Sequence, residues 1–506
     1  MTIFRTRPSA LTFDASLLQD PDILDLYQRS IEQALVATKP TDSLDWPSVL
    51  LRIKTIANSI IRPKLATAQR PDHNDEVAKL SRDQQRLRTL ITGCNNPVDL
   101  FLLRSRRRAL LRTIRQKCKE ASRFRVSRQL TELEKFKYTE RMYRIVRRLT
   151  PKPRLPLSIH DHAGRTIGNP RETAQVITQF LTTQFYKPHL GDVPVDGYRL
   201  YSPITADEVT NAFRSLKNGR APGADHVPAK LLKYSPPVVS GILARAINRH
   251  LQQPSASMRE CLNHGVVITV PKPNKPAGSC ANLRPITLLS TTRKAISTVI
   301  LHRIRSKVDA WLSPNQSGFR VARSTADAVW AHRWNVALTH RFRTNMYILG
   351  IDLSKAFDTI DRHRLLTVLA SFLDSDEVQL IKALLSTTTL QIRLNMCYYS
   401  TFSSNHGTPQ GDALSPLLFV VYLDAVLRDL SFHLNIPMSE LNTIVFADDV
   451  DFIDHNPDRL EQILPIAEQV FRAWSLTINV SKTERTPVFR ASIKSDQSWR
   501  TVRILG

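Results

Sequence analysis

In the stretch IVFADDVDFI, residues 444–453, Asp448 and Asp449 stand side by side between short apolar runs. Adjacent carboxylates repel, and two readings follow from residue type alone. Asp is a common turn residue, and a hairpin joining two apolar strands needs a turn. A carboxylate pair is also a cation ligand, the cation offsetting the repulsion. The stretch by itself does not choose. A third acid bears on the choice. In MYILGID, residues 346–352, Tyr347, Ile348, Leu349 and Ile351 read as a buried strand that closes on Asp352. A carboxylate at an apolar strand end is costly to desolvate unless it meets a cation or a donor. If the two strands are neighbours, three carboxylates converge, and an oxygen-only set suits Mg²⁺ or Mn²⁺. Two such ions, roughly 3.5–4 Å apart, activate an attacking 3′-hydroxyl and stabilise a leaving pyrophosphate. In a basic protein that chemistry suggests nucleotidyl transfer.

Strands that hold such a site need a core around them. At 506 residues and 42% apolar composition, the chain is long enough for two to four domains. Lysine and arginine number 71 against 45 acids, a net charge of +26. That excess points to a polyanionic partner, nucleic acid before a membrane surface, with a merely basic soluble protein as the alternative. The five cysteines, Cys94, Cys118, Cys261, Cys280 and Cys397, are scattered and never in a CxxC. They indicate neither a disulfide framework nor a zinc site, and a reducing, intracellular setting, cytoplasmic or nuclear, is expected. The opening MTIFRTRPSALTF lacks the apolar core of a signal peptide, so secretion is not expected. No run approaches the ~18 apolar residues of a membrane span.

The charge is concentrated. Residues 101–150 hold 17 Lys/Arg and 4 Asp/Glu, a net +13 and half the total. With no Gly or Pro, and with Leu103, Leu110, Leu111 and Ile114 near helical spacing, the segment reads as long basic helices. Arg106, Arg107, Arg108, Arg112 and Arg115 are candidate phosphate contacts; a solvated helix face is the other reading. The prolines of TPKPRLPLS, residues 150–158, then break any helix and mark a boundary. Beyond it, Asn169, Pro170 and Glu172 predict a helix to about Tyr186, with Val176, Ile177 and Phe180 inward. Thr205 and Glu208 predict a second capping box, followed by Val209, Phe213 and Leu216 on one face and Gly219 as the stop.

Seven motifs then follow in order: SLKNGRAPGADHVPAKLLK (215–233), VITVPKPNKPAGSCANLRPITLLS (267–290), SGFRVARSTADA (317–328), DLSKAFDTID (352–361), GTPQGDALSPLLF (407–419), FADD (446–449) and INVSKTE (478–484). In content and order they resemble the reverse transcriptase of non-LTR, LINE-type retrotransposons, over about three-fifths of the chain. The basic arm and its proline break are similar to the segment that such polyproteins carry between endonuclease and polymerase.

The resemblance implies an α+β fold: the fingers and palm of a right-hand polymerase, with an antiparallel palm sheet and packed helices, preceded by a basic helical region. It implies three segments: 1–150 as the basic region, 151–200 as a linker and helix, and 201–506 as fingers and palm, with a core of 254–506. It implies an RNA-directed DNA polymerase using Mg²⁺, or Mn²⁺, with an RNA template, a DNA primer and deoxynucleoside triphosphates as partners and no membrane. Residue by residue, it makes Asp352, Asp448 and Asp449 the metal ligands and Phe357 the steric gate against a ribose 2′-hydroxyl, a core phenylalanine being the alternative. Gln410 and Gly411 would line the template–nucleotide pair ahead of a helix starting near Ala413. Lys272 and Arg284 would hold the triphosphate, and Lys482 would protonate pyrophosphate. Asp225, Arg320 and Asp358 lie within motifs and receive no catalytic role. The chain differs from the family in three expected respects: no endonuclease is recognisable in residues 1–100, no cysteine–histidine knuckle is recognisable near the end, and it ends at TVRILG, similar to a primer grip with no thumb after it. A non-catalytic nucleic-acid-binding remnant is the competing reading. All three acids, intact, favour the enzyme.

Overall fold

Period-two apolar patterning in the C-terminal part of the chain becomes two four-stranded sheets. The computed structural model describes residues 12–13, 15–36, 45–61, 63–64, 75–93, 96–135, 142–143, 146, 157–161, 164–194, 196–273, 275–395 and 397–489. The expected proline break at 150–156 and the RTVRILG segment at 500–506 lie outside these residues. The chain divides into two units, residues 1–12 with 63–156, and residues 13–62 with 157–506.

In the smaller unit two helices, Asp75–Gly93 and Pro97–Lys135, pack on each other. The second is the basic arm read from sequence. Arg106, Arg108, Arg112 and Arg115 are exposed on it and Arg107 is half-buried.

The larger unit holds eight strands that carry the argument: β1 His264–Pro271, β2 Leu283–Leu289, β3 Met346–Ile351, β4 Thr388–Leu394, β5 Cys397–Ser404, β6 Thr443–Phe446, β7 Asp449–Asp454 and β8 Glu484–Val488. One sheet has the order β2-β1-β4-β5 and the other the order β8-β3-β7-β6. The second is antiparallel throughout. Its inward residues Leu349, Ile351, Val445, Val450 and Phe452 join Phe419, Val420 and Leu423 of the helix Ser415–Leu434 in one core. The first sheet is covered by the helix Pro170–Phe185, whose Ile177, Leu181 and Phe185 meet Val267, Leu390, Ile392 and Phe402. Each such side chain, fully buried, contributes roughly 1.5–3 kcal/mol of transfer free energy.

The capping signals come out with two differences. Thr205 and Glu208 form the expected reciprocal box, but the helix Ala206–Ser215 ends with Leu216 as its C-cap, before Gly219, which turns the chain at φ +76° further on. Asn169 caps its helix by accepting from the Arg171 N–H, without a bond from Glu172. Residues 13–62 pack into the larger unit. Tyr27, on the helix Pro21–Val36, donates through its hydroxyl to the Leu231 carbonyl at 2.9 Å. Trp46, at the head of the helix Trp46–Ile60, donates through Nε1 to Thr292 Oγ1 at 2.8 Å and is fully buried. No helix among the described residues is long and apolar enough to cross a membrane.

Candidate active site

Antiparallel register puts the three acids at one end of adjacent strands. Ile351, the last residue of β3, pairs with Val450 on β7, so one step further along both strands Asp352 stands beside Asp449. β6 and β7 form a hairpin in which Phe446 pairs with Asp449, leaving Ala447 and Asp448 as its two-residue turn. Asp448 therefore lies in the hairpin turn and Asp449 opens β7, so the pair straddles turn and strand end. The turn is tight: Ala447 has φ +56°, as the first central residue of a primed turn requires.

Gln316 holds that turn. Its buried Oε1 accepts from the Ala447 N–H at 3.1 Å and from the Gly318 N–H at 2.7 Å, and its Nε2 lies 3.4 Å from the Ala447 carbonyl. On either side, Ser317 N–H donates to the Val445 carbonyl at 2.9 Å and Val445 N–H to the Asn315 carbonyl at 3.1 Å. Gly318 is needed at this approach, because a Cβ there would lie 2.3 Å from the Ala447 nitrogen.

Lys482 Nζ lies 2.8 Å from Asp352 Oδ2, and the Asn479 N–H donates to the Asp352 carbonyl at 2.8 Å. Among the described residues no group of three or more His, Cys, Asp or Glu is drawn closely enough to hold a metal ion. The donors are right in kind for a hard divalent cation, all oxygen, and they share one end of adjacent strands; the Asp352 carboxylate is engaged by Lys482.

Phe357 is half-buried just after Asp352. Its ring stacks on Phe419 at 4.5 Å between centroids and meets Phe319 edge-on at 6.4 Å. Phe319 is exposed at φ +58°.

The PQG loop is fastened to the same segment. Thr408 N–H donates to the Phe357 carbonyl at 2.9 Å, and Gly407 N–H to that of Ile360 at 2.8 Å. At Gly407, φ +70°, a Cβ would lie 2.6 Å from the Asp358 carbonyl oxygen; at Gly411, φ +126°, one would lie 2.6 Å from that of Thr287 on β2. Gln410 turns its side chain to Asp358, donating from Nε2 to Oδ1 at 2.9 Å. The following helix starts at Ser415, two residues later than expected.

Asp358, set aside by the sequence reading, is the hub of this region. It is buried and also accepts from Gln184 Nε2 at 2.8 Å, while Lys355 Nζ donates to Gln184 Oε1 at 2.7 Å. Burial pushes its pKa up to about 6; the Gln410 bond and the charges of Lys355 and Lys272 oppose that without overcoming it. Lys355 is lowered by burial, and the charges of Lys272 and Lys187 push the same way. A lysine-rich region thus adjoins Gln410. Lys272 itself follows β1 and donates to the Ala281 carbonyl at 2.9 Å, and Arg284 is exposed on the paired strand β2.

Arg362 was likewise missed. It is fully buried and donates to the carbonyls of Gly407, Leu385 and Ser404 at 2.8, 3.0 and 2.9 Å, clamping the approach to the PQG loop. The other two motif residues without an assigned role are structural. Asp225 accepts from the N–H groups of Val227 and Thr291, and Arg320 pairs with Asp309 at 2.7 Å. The signal for Gln316 lay immediately before SGFR, but its partner is 131 residues away.

Residues 270–506 match the family described as "Reverse transcriptase (RNA-dependent DNA polymerase)". The chain is similar to a probable RNA-directed DNA polymerase from transposon BS of Drosophila melanogaster, 25% identical over 335 residues covering 64% of this chain and 36% of that protein. It is similar to a probable RNA-directed DNA polymerase from transposon X-element of the same organism, 27% identical and covering 56% of this chain and 31% of that protein. A third relative is the retrovirus-related Pol polyprotein from type-1 retrotransposable element R2 of Popillia japonica, 24% identical, with 56% and 39% covered. The chain spans about a third of the length of these relatives.

Proposed function

Taking residues 270–506 as a reverse transcriptase domain, we propose that the chain is an RNA-directed DNA polymerase of the non-LTR retrotransposon type, extending a primer 3′-hydroxyl on an RNA template. One observation carries the reading: the β3–β7 register, which sets Asp352 beside Asp449, next to the turn that bears Asp448. Asp352, Asp448 and Asp449 would hold divalent ions, Mg²⁺ or Mn²⁺, which when bound supply activation of the nucleophile and charge stabilisation of the departing pyrophosphate.

The remaining tasks fall to side chains. Lys272, just after β1, and Arg284, on the paired strand β2, would bind the triphosphate, Arg by its forked donors. Phe357 would exclude a ribose 2′-hydroxyl sterically. Gln410 and Gly411 would bear on the template–nucleotide pair, with Gly411 permitting close backbone approach. Lys482 would deliver a proton to pyrophosphate; its contact with Asp352 supports a role at the reacting end of the strands.

The test is extension of a primed RNA template by the purified chain with deoxynucleotides and Mg²⁺. Asp448→Asn should lower extension by about 10²-fold or more, the several kcal/mol expected of a lost metal ligand, while RNA binding stays unchanged. Full activity in that variant would remove the assignment. Binding without extension in the unaltered chain would leave the non-catalytic remnant.

A further inference from the structure

The helix Thr325–Phe342 treats its two faces differently. Inward, Ala328 and Thr339 are buried, and His332 Nε2 lies 2.9 Å from Asp451 Oδ2 on β7, two residues beyond Asp449. Outward, Trp330 and Trp334 are 63% and 51% exposed. They stack on each other, centroids 5.4 Å apart and planes 11° from parallel. The other described tryptophans are buried or half-buried, so exposure of indole is confined to this helix among the described residues.

At 3.6 residues per turn, Trp330, Trp334, Ala337 and Arg341 fall within about 60° of one another around the axis, and Arg333 flanks them. All five are exposed. From 323 to 343 the sequence has Arg323, Arg333, Arg341 and Arg343 against Asp327 as the one acid. Asp327 is committed to the capping box with Ser324, its carboxylate accepting from the Ser324 N–H at 2.7 Å. The face therefore combines flat aromatic surface with guanidinium groups, and acids of the sheet, Asp449, Asp451 and Glu484, adjoin it only at the Arg333 edge. Unpaired bases stack on indole, and phosphates pair with guanidinium. A duplex offers no free base faces along its length, and an apolar protein partner would leave the arginines desolvated and unpaired.

We propose that the outer face of the helix Thr325–Phe342 is a docking surface for single-stranded RNA, its Arg333 edge lining the same cavity as Asp449 and Asp451. The choice of RNA over single-stranded DNA rests on the proposed function, in which the template is RNA. Trp330 to Arg341 spans about 16 Å of helix, enough for roughly four or five stacked nucleotides.

The experiment uses the full chain, an eight-nucleotide single-stranded RNA carrying 4-thiouridine, and no deoxynucleotides, so that binding is read apart from synthesis. Cross-links should map to Trp330 or Trp334. Affinity by fluorescence anisotropy should fall about tenfold or more in W330A/W334A, in keeping with loss of base stacking, and survive in W330F/W334F. R333E/R341E should lower the log–log salt slope by about 1 or more. Circular dichroism of each variant should match the parent, since the altered side chains face solvent. If cross-links map elsewhere and neither variant changes affinity or slope, the proposal is overturned. It is also overturned if the face binds single-stranded DNA of the same length but not RNA, or if W330A/W334A alters only the sedimentation of the chain, marking self-association. RNA docking that depends on the tryptophans in a chain unable to extend primers would sustain this inference while removing the proposed polymerase activity.

Discussion

A phenylalanine five residues after the first acid has both of its sequence readings open in the structure. Phe357 packs on Phe419, as a core residue would, yet it is half-buried and edge-on to the exposed Phe319. Phe357→Val should admit ribonucleotides, lowering the ratio of kcat/KM for dNTP over rNTP at a stability cost of about 1–2 kcal/mol. An unchanged ratio would leave Phe357 a packing residue. Asp358 yields a pH effect instead. Its pKa of about 6 in the fold stands above its ordinary value of 3.8, so the native state binds the proton more tightly than the unfolded chain. Stability contributed by this group is full below about pH 4 and is lost as pH rises through about 6, of order 3 kcal/mol in all. Buried His406, lowered to about 4, acts in the opposite direction as pH rises over that window. The comparison must therefore be with Asp358→Asn. Urea unfolding should show the parent losing ground to that variant between pH 4 and 6.5; parallel profiles would mean that Asp358 does not hold the proton.

At the scale of elements, the turn bearing Asp448 is held by a segment that contains none of the acids. Gln316 satisfies the buried Ala447 N–H, and Ala447 sits at a positive φ that costs an L residue about 1–2 kcal/mol. Gln316→Leu removes the acceptor and leaves that N–H unpaired, at about 1–3 kcal/mol. Extension should fall at least tenfold in kcat with KM for deoxynucleotide little changed, because the acids shift while the finger residues do not. An equal loss of RNA binding would instead mean general unfolding. Arg362 works in the same manner on the PQG loop, through carbonyls rather than charge. Burial lowers its pKa to about 9, and the carbonyl bonds keep the guanidinium solvated.

For the whole molecule, the first 150 residues are not one part. Residues 13–62 belong to the larger unit, where Ile31, Leu35, Trp46 and Ile53 are fully buried in its core. Removing 1–150 would strip that core, so the arm has to be tested by charge. Reversing Arg106, Arg107, Arg108, Arg112 and Arg115 to glutamate should weaken RNA binding at low salt and lower the log–log salt slope by about 2–3. If affinity and slope both hold, the arm is a solvated helix face.

Local signals settled much of this before any tertiary contact was known. The strand closing on Asp352 and the capping box of Thr205 and Glu208 each depend on neighbours in sequence, and period and capping chemistry report those directly, whereas the turn offered at 448–449 falls at 447–448. The ordered motifs, through their resemblance to a known family, supplied the candidate roles for the acids and for Lys272 and Arg284. Tertiary structure alone decided which distant groups meet. Gln316 reaches Ala447 across 131 residues, Gln184 reaches Asp358 across 174, and Trp46 reaches Thr292 across 246. A glutamine or an aspartate is equally at home on a surface, and its type does not say which partner will desolvate it. Burial is what raises the Asp358 pKa to about 6, against the opposing bonds from Gln410 and Gln184, and it exists only once the chain has closed around it.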